Sequence, residues 1–293
     1  MRKLGFVGLG VMGLPMASNL MKKSKLPVWG YDVFDARREM FAQTGGVTVD
    51  TPREIYAERD VVFFCLPTNA ALKDCVEEFI SVAPKGSIAV DIGSTSPGVI
   101  RSLHAAAKEK GLSLIDSPVS GGEPKAIDGT LAMMCGGNKN IFDDVAPLLQ
   151  TMGSTVTYMG NSGNGSVAKL ANNMIVACNL AALGEAFCFA QKAGLDVKTL
   201  FEAIRNGFAG SIAMDVKAPC LIERNFAPSA RIDIHQKDLD NAVNLAKEMK
   251  VEIPLSHMAL DLMNEMIAQG KGDDDHCGIA QIYEQRMKIL LGS

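Results

Sequence analysis

Lys169 and Asn173 carry the most specific chemical signal in the sequence, because they stand at positions i and i+4 of a helix-forming run. Residues so spaced share a helix face, so an amine and an amide would be presented side by side. A desolvated amine close to neutral in pKa can give a proton to a forming alkoxide and take it back in the reverse direction. Lysine is almost never fully buried without a partner or a task; the bland alternative is an exposed first turn with the charge in water. A second signal is Ser120-Gly121-Gly122, where a hydroxyl followed by two glycines leaves donors open to a carboxylate. The third is Gly8-Leu9-Gly10-Val11-Met12-Gly13, which follows the apolar run 4–7 and opens a helix pattern. Gly8 permits a tight turn, Gly10 a close approach of backbone to pyrophosphate, and Gly13 close packing of helix on strand. Asp32 closes the next strand pattern, at the separation of about 20 residues where a ribose 2′-hydroxyl is read. A carboxylate there repels a 2′-phosphate and favours NAD; Arg37 and Arg38 keep NADP possible.

The elements that would position these groups follow from periodicity. Apolar runs at 61–66, 88–92, 112–115, 131–135 and 155–158 alternate with helix patterns at 69–80, 97–110 and 138–151. Such alternation predicts an α/β fold, a Rossmann-type doubly wound and mainly parallel sheet. Ligands then bind at the carboxyl ends of the strands, where Leu66, Pro67, Ser94 and the loop 116–122 fall. Residues 1–162 are expected to form this dinucleotide-binding domain. Residues 163–293 are expected to form an all-α domain, beginning with a long interdomain helix at 163–194. That helix is apolar nearly all round and is expected to be buried, while Asn172, Asn173, Asn179 and Glu185 interrupt it too often for a membrane span. Further helices are expected near 197–205, 212–223, 236–249, 255–269 and 277–290. The Asp273-Asp274-Asp275 triplet reads as a solvated turn and helix cap, His235 as a packed or hydrogen-bonded residue near the cleft with a second acid as the alternative, and His276 as a break residue.

The 293 residues suffice for two domains, and their net charge of −4 offers no basic face for nucleic acid. The cysteines lack zinc spacing and the N-terminus lacks a secretory pattern. The expectation is a reduced cytoplasmic protein with no metal and no membrane association. Apolar stretches at 180–189 and 258–266 exceed what a small helical domain hides, which predicts a homodimer or homotetramer.

The segments GFVGLGVMGLPMASNL, DSPVSGGEPKAIDGTL, GNGSVAKLANN and IHQKDLDNA, in that order, resemble the β-hydroxyacid dehydrogenases across nearly the whole chain. The resemblance implies an NAD(P)-dependent oxidoreductase acting on a small carboxylate-bearing aldehyde or hydroxyacid. It assigns Lys169 as general acid/base, Asn173 as its substrate-anchoring partner, and Ser120, Gly121 and Gly122 as the carboxylate loop. It places Ser94 against the nicotinamide ribose and Lys237 beside the cofactor, with Phe208 and Ser211 as candidate pocket walls. Within the family, the filling Glu123–Asp128 is most similar to the branch reducing tartronate semialdehyde; the alternatives are 3-hydroxyisobutyrate and serine. Tyr31-Asp32-Val33-Phe34 lacks the Asn-Arg type pair of NADP-leaning members, which tilts the cofactor toward NAD. A protein with that fold but no turnover would have no need of Lys169, Asn173 and Ser120 together.

Overall fold

Short runs with no polar side can hide both faces only in a sheet covered by helices. The computed structural model describes residues 2–292 and shows such a sheet in the first of two units, which divide between Lys169 and Leu170. Its strands are β1 (Leu4–Val7), β2 (Val28–Tyr31), β3 (Val47–Thr48), β4 (Val61–Phe64), β5 (Ile88–Asp91), β6 (Ser113–Asp116), β7 (Val119–Ser120), β8 (Leu131–Gly136) and β9 (Gly153–Gly160). Between them run α1 (Gly13–Ser24), α2 (Asp35–Gln43), α3 (Pro52–Glu58), α4 (Asn69–Val82), α5 (Pro97–Glu109), α6 (Gly122–Asp128) and α7 (Lys139–Leu149). The order is β3-β2-β1-β4-β5-β6-β8-β7, with β9 also paired to β8. Pairing is parallel except where β6 and β7 meet β8. Every residue of β1, β4 and β5 is buried. One face packs Phe6, Leu9, Met16, Leu20 and Phe63; the other packs Tyr56, Phe64, Phe79, Ile100 and Leu103.

Helices α2, α3 and α6 and strands β3 and β7 exceed what periodicity alone predicts. Helix α2 buries only Phe41, so it has no apolar period to read. Helix α3 is set by its ends instead: Thr51 and Glu54 form a capping box, with Pro52 at the first position.

The second unit consists of helices. Helix α8 (Asn164–Lys192) begins before the division and continues through it, followed by α9 (Val197–Ile204), α10 (Ile212–Ile222), α11 (Ile232–Met249), α12 (Pro254–Ala268) and α13 (Ala280–Met287). A 3-10 turn at His276–Ile279 precedes α13. Leu180, Leu183 and Phe187 of α8 pack with Leu239, Val243, Met263 and Met266. Two expectations change here. Helix α8 is not buried all round, since Ile175 is 63% and Phe189 69% exposed. Helix α11 starts at Ile232 rather than 236, because Ile232, His235 and Leu239 share its buried face at helical spacing.

Candidate active site

The turn after β1 is dictated by its glycines in two different ways. Gly8 has φ +95, and a Cβ there would stand 2.2 Å from the Cys65 carbonyl oxygen; a Cβ on Gly13 would stand 1.9 Å from the Gly8 oxygen. The fold itself therefore requires both. A Cβ on Gly10, by contrast, would meet nothing within 4 Å. That open space lies at the start of α1, where Met12 occupies the N-cap and offers no side-chain acceptor. A helix start with no side-chain cap beside a gap suits a pyrophosphate, so the turn fits a dinucleotide. Asp32 is buried and ties this turn to the end of β2: Oδ2 accepts from the Leu9 N–H at 2.7 Å and Oδ1 from the Phe34 N–H at 3.0 Å. Arg38 donates to the Asp32 carbonyl at 2.5 Å and pairs with Asp35 at 2.6 Å. Val11 projects outward, 50% exposed.

Leu66 and Pro67 follow β4 and Ser94 follows β5, beyond the strand ends, while Ser120 is the last residue of β7. The first two loops are joined, since Asn69 accepts from the Ser96 N–H at 3.0 Å. Thr68 and Ser96 cap α4 and α5, and Ser94, two residues before Ser96, is half-buried. Gly121 and Gly122 both have positive φ, 139 and 71, at the exposed start of α6. Cys65 is no nucleophile: burial, aided by the charges of Asp91 and Asp32, pushes its thiol up to about 12.

Asp116, which the sequence reading passes over as part of a loop, fastens the start of α8. Its carboxylate accepts from the Gly163 N–H at 2.9 Å and the Ser166 N–H at 2.8 Å. Burial pushes this carboxyl up, and those bonds only partly offset it. Lys169 follows on α8, half-buried, one turn before Asn173.

Asn173 is buried and held on several sides. Its Nδ2 donates to Asp238 Oδ2 at 2.5 Å, and its Oδ1 accepts from Asn172 at 2.9 Å. Lys237 Nζ lies 3.2 Å from Asp238 Oδ1. The structure thus joins Asn173 and Lys237 through Asp238, a residue the sequence reading does not single out, although an acid directly after Lys237 is a visible signal. His235 approaches the Asn173 carbonyl with Nε2 at 3.0 Å. Ser211 is occupied in capping α10, where it accepts from the Met214 N–H at 3.0 Å, and Phe208 is fully exposed.

Asp275 is the expected cap, here of the 3-10 turn, but it is not solvated. It is 1% exposed and accepts from Lys217 with both oxygens, at 2.8 and 2.7 Å, and from the Ser229, Ala230 and Cys277 N–H groups. Burial pushes its carboxyl up, yet the Lys217 bond, the His276 ring and the Ser229 N–H outweigh burial and hold it well below the usual carboxylate range.

Two family models cover most of the chain. Residues 3–160 match the NAD-binding domain of 6-phosphogluconate dehydrogenase, and residues 163–283 match the NAD-binding region of NADP-dependent 3-hydroxyisobutyrate dehydrogenase. The 2-hydroxy-3-oxopropionate reductase of Escherichia coli is 35% identical over 96% of this chain and 97% of its own. The 2-(hydroxymethyl)glutarate dehydrogenase of Eubacterium barkeri is 33% identical over 99% and 97%. The solved 3-hydroxyisobutyrate dehydrogenase of Mycobacterium tuberculosis, described with L-serine, superposes with a TM-score of 0.89 at 29% identity, covering 96% of this chain and 99% of that one.

Proposed function

The chain belongs to the β-hydroxyacid dehydrogenase family and is an NAD(P)-dependent oxidoreductase, and from that premise we propose that it reduces tartronate semialdehyde (2-hydroxy-3-oxopropionate) reversibly to glycerate. The observation that carries the chemistry is the buried amide of Asn173, held by Asp238 and Asn172 one turn after Lys169. The choice of substrate is supported by the 35% identity to the E. coli reductase and by the segment Glu123–Asp128.

Bound at Gly8–Gly13, the nicotinamide dinucleotide supplies the hydride chemistry. The remaining tasks fall to side chains of this chain. Lys169 gives a proton to the oxygen of the substrate carbonyl during reduction and removes it from the hydroxyl during oxidation. Asn173 Nδ2 carries two hydrogens; Asp238 takes one, and the other is the donor for the same substrate oxygen. Ser120 and the N–H groups of Gly121 and Gly122 hold the substrate carboxylate. Leu66, Pro67, Ser94 and Lys237 line the cofactor, and Asp32 disfavours a 2′-phosphate, so NAD is preferred over NADP. Helix α8 is long and apolar enough to cross a membrane, but Asn172, Asn173, Asn179 and Glu185 interrupt it and Leu180, Leu183 and Phe187 pack into the helical core, which supports a core helix instead.

Consumption of NADH with tartronate semialdehyde, beside methylmalonate semialdehyde and with NADPH in parallel, tests the reading. The expected result is the highest kcat/KM for tartronate semialdehyde with NADH. Preference for methylmalonate semialdehyde would retain Lys169 and overturn the substrate assignment.

A further inference from the structure

Two buried imidazoles stand behind Asn173, and the reading above gives them no work. His235 lies on the buried face of α11 and His276 opens the 3-10 turn; they are 5% and 9% exposed. Their Nδ1 atoms are 2.9 Å apart, with ring centroids separated by 5.0 Å. His235 Nε2 lies 3.0 Å from the Asn173 carbonyl oxygen.

Protonation states follow from these distances. A carbonyl oxygen can only accept, so His235 Nε2 carries a hydrogen. In the neutral ring Nδ1 is then bare and accepts, so the hydrogen between the two rings belongs to His276 Nδ1. The bonds run in one direction, from His276 through His235 to Asn173. His276 is itself pinned: its backbone N–H donates to the Ala230 carbonyl at 2.8 Å, and its Nε2 stands 4.0 Å from Asp275 Oδ1. Asp275 is fixed in turn by Lys217 of α10 and the Ser229 N–H and hydroxyl. On α11, Lys237 and Asp238 follow His235 closely in sequence and are paired with each other.

We infer that His235 and His276 are positioning residues for the reaction: a hydrogen-bonded imidazole pair, donating in one direction, that sets the Asn173 peptide, and with it the turn of α8 bearing Asn173 and Lys169. The inference rests on the roles given above to those two residues. Packing alone does not call for this pair. Position 235 shares its helix face with Ile232 and Leu239, both 0% exposed, where an aliphatic side chain would fill the space without burying a polar ring. The bonds from His276 to His235 and from His235 to the Asn173 carbonyl favour one arrangement of the groups they join. The Asn173 carbonyl already serves the N–H four residues on, so the imidazole constrains its direction without being needed to form the helix.

The test uses the full chain with NADH and substrate. His235→Leu and His276→Leu are expected to lower kcat about tenfold to a hundredfold, the cost of a small misplacement near the reacting atoms, with KM for NADH unchanged within about twofold. His235→Gln, whose amide reaches the Nε2 position, and His276→Asn, whose amide reaches the Nδ1 position, should restore most of the lost kcat. Imidazole ¹⁵N spectra of the wild-type holoenzyme should show His235 protonated at Nε2 and bare at Nδ1. Asn173→Ala separates the two levels: if it leaves kcat unchanged, the site reading itself fails. If Asn173→Ala lowers kcat while a folded His235→Leu keeps it, the positioning role is overturned. Should both leucine variants fail to fold, a His235 ring protonated at Nδ1 in the wild type overturns the inference by itself.

Discussion

The amide of Asn173 is bonded through its nitrogen to Asp238, through its oxygen to Asn172 and through its peptide carbonyl to His235. One helical turn is thereby fixed, and it is the turn that presents Lys169. General acid–base catalysis by a positioned group is worth about 10²–10⁴-fold. Lys169→Ala is therefore expected to lower kcat by about that factor, while NADH affinity, measured by fluorescence titration, stays near the wild-type value. Near-normal turnover in this variant would remove Lys169 from the chemistry. The spacing of Lys169 and Asn173 was legible along the chain because both lie on one helix. The bonds of Asp238 and His235 to Asn173 were not, because they come from a segment more than sixty residues away, and His276 joins only through His235.

At the scale of elements, the glycine turn separates what folding needs from what binding needs. A Cβ on Gly13 would sit 1.9 Å from backbone, so Gly13→Ala must displace the α1 start and should destabilise the protein by about 3 kcal/mol. Gly10→Ala meets nothing and should leave unfolding of the cofactor-free protein within about 0.5 kcal/mol of wild type. The same methyl projects where pyrophosphate must approach, so NADH binding should weaken at least tenfold. Thermal unfolding and NADH titration of the two variants check this; tight NADH binding by Gly10→Ala would show that the phosphates lie elsewhere. The motif announced the turn, since its glycines sit at fixed offsets after a strand. Strands β3 and β7 escaped notice because each is two residues long and defined by its partner rather than by its own pattern.

For the whole molecule, the long helix raises the question of what covers its outer side. Ile175 and Phe189 lie nearly four turns apart on α8, exposed at 63% and 69%, and Leu255 and Met258 on α12 are exposed at 69% and 63%. Isolated surface apolar residues need no explanation, whereas a contiguous apolar patch marks an interface. We propose a homodimer or homotetramer formed through these residues. Sedimentation velocity should give a species of at least twice 31.3 kDa, and Ile175→Glu with Phe189→Glu should shift it toward monomer. A monomeric wild type at micromolar concentration would discard the interface.

The sequence by itself determined the α/β character of the first half, the helical character of the second, the glycine turn with its acid, and the Lys169–Asn173 pair. All are local: they depend on period, on φ-permissive glycines and on neighbours within one helix. Tertiary structure decided which buried polar groups surround those residues. Asp275 looked solvated because three acids in a row usually are, until Lys217 from another helix met it. His235 was expected to pack or hydrogen-bond near the cleft, and only the fold shows that its partners are Asn173 and His276. Hydrogen-bond partners drawn from distant segments leave no period in the chain, so their roles emerge only once the helices are packed.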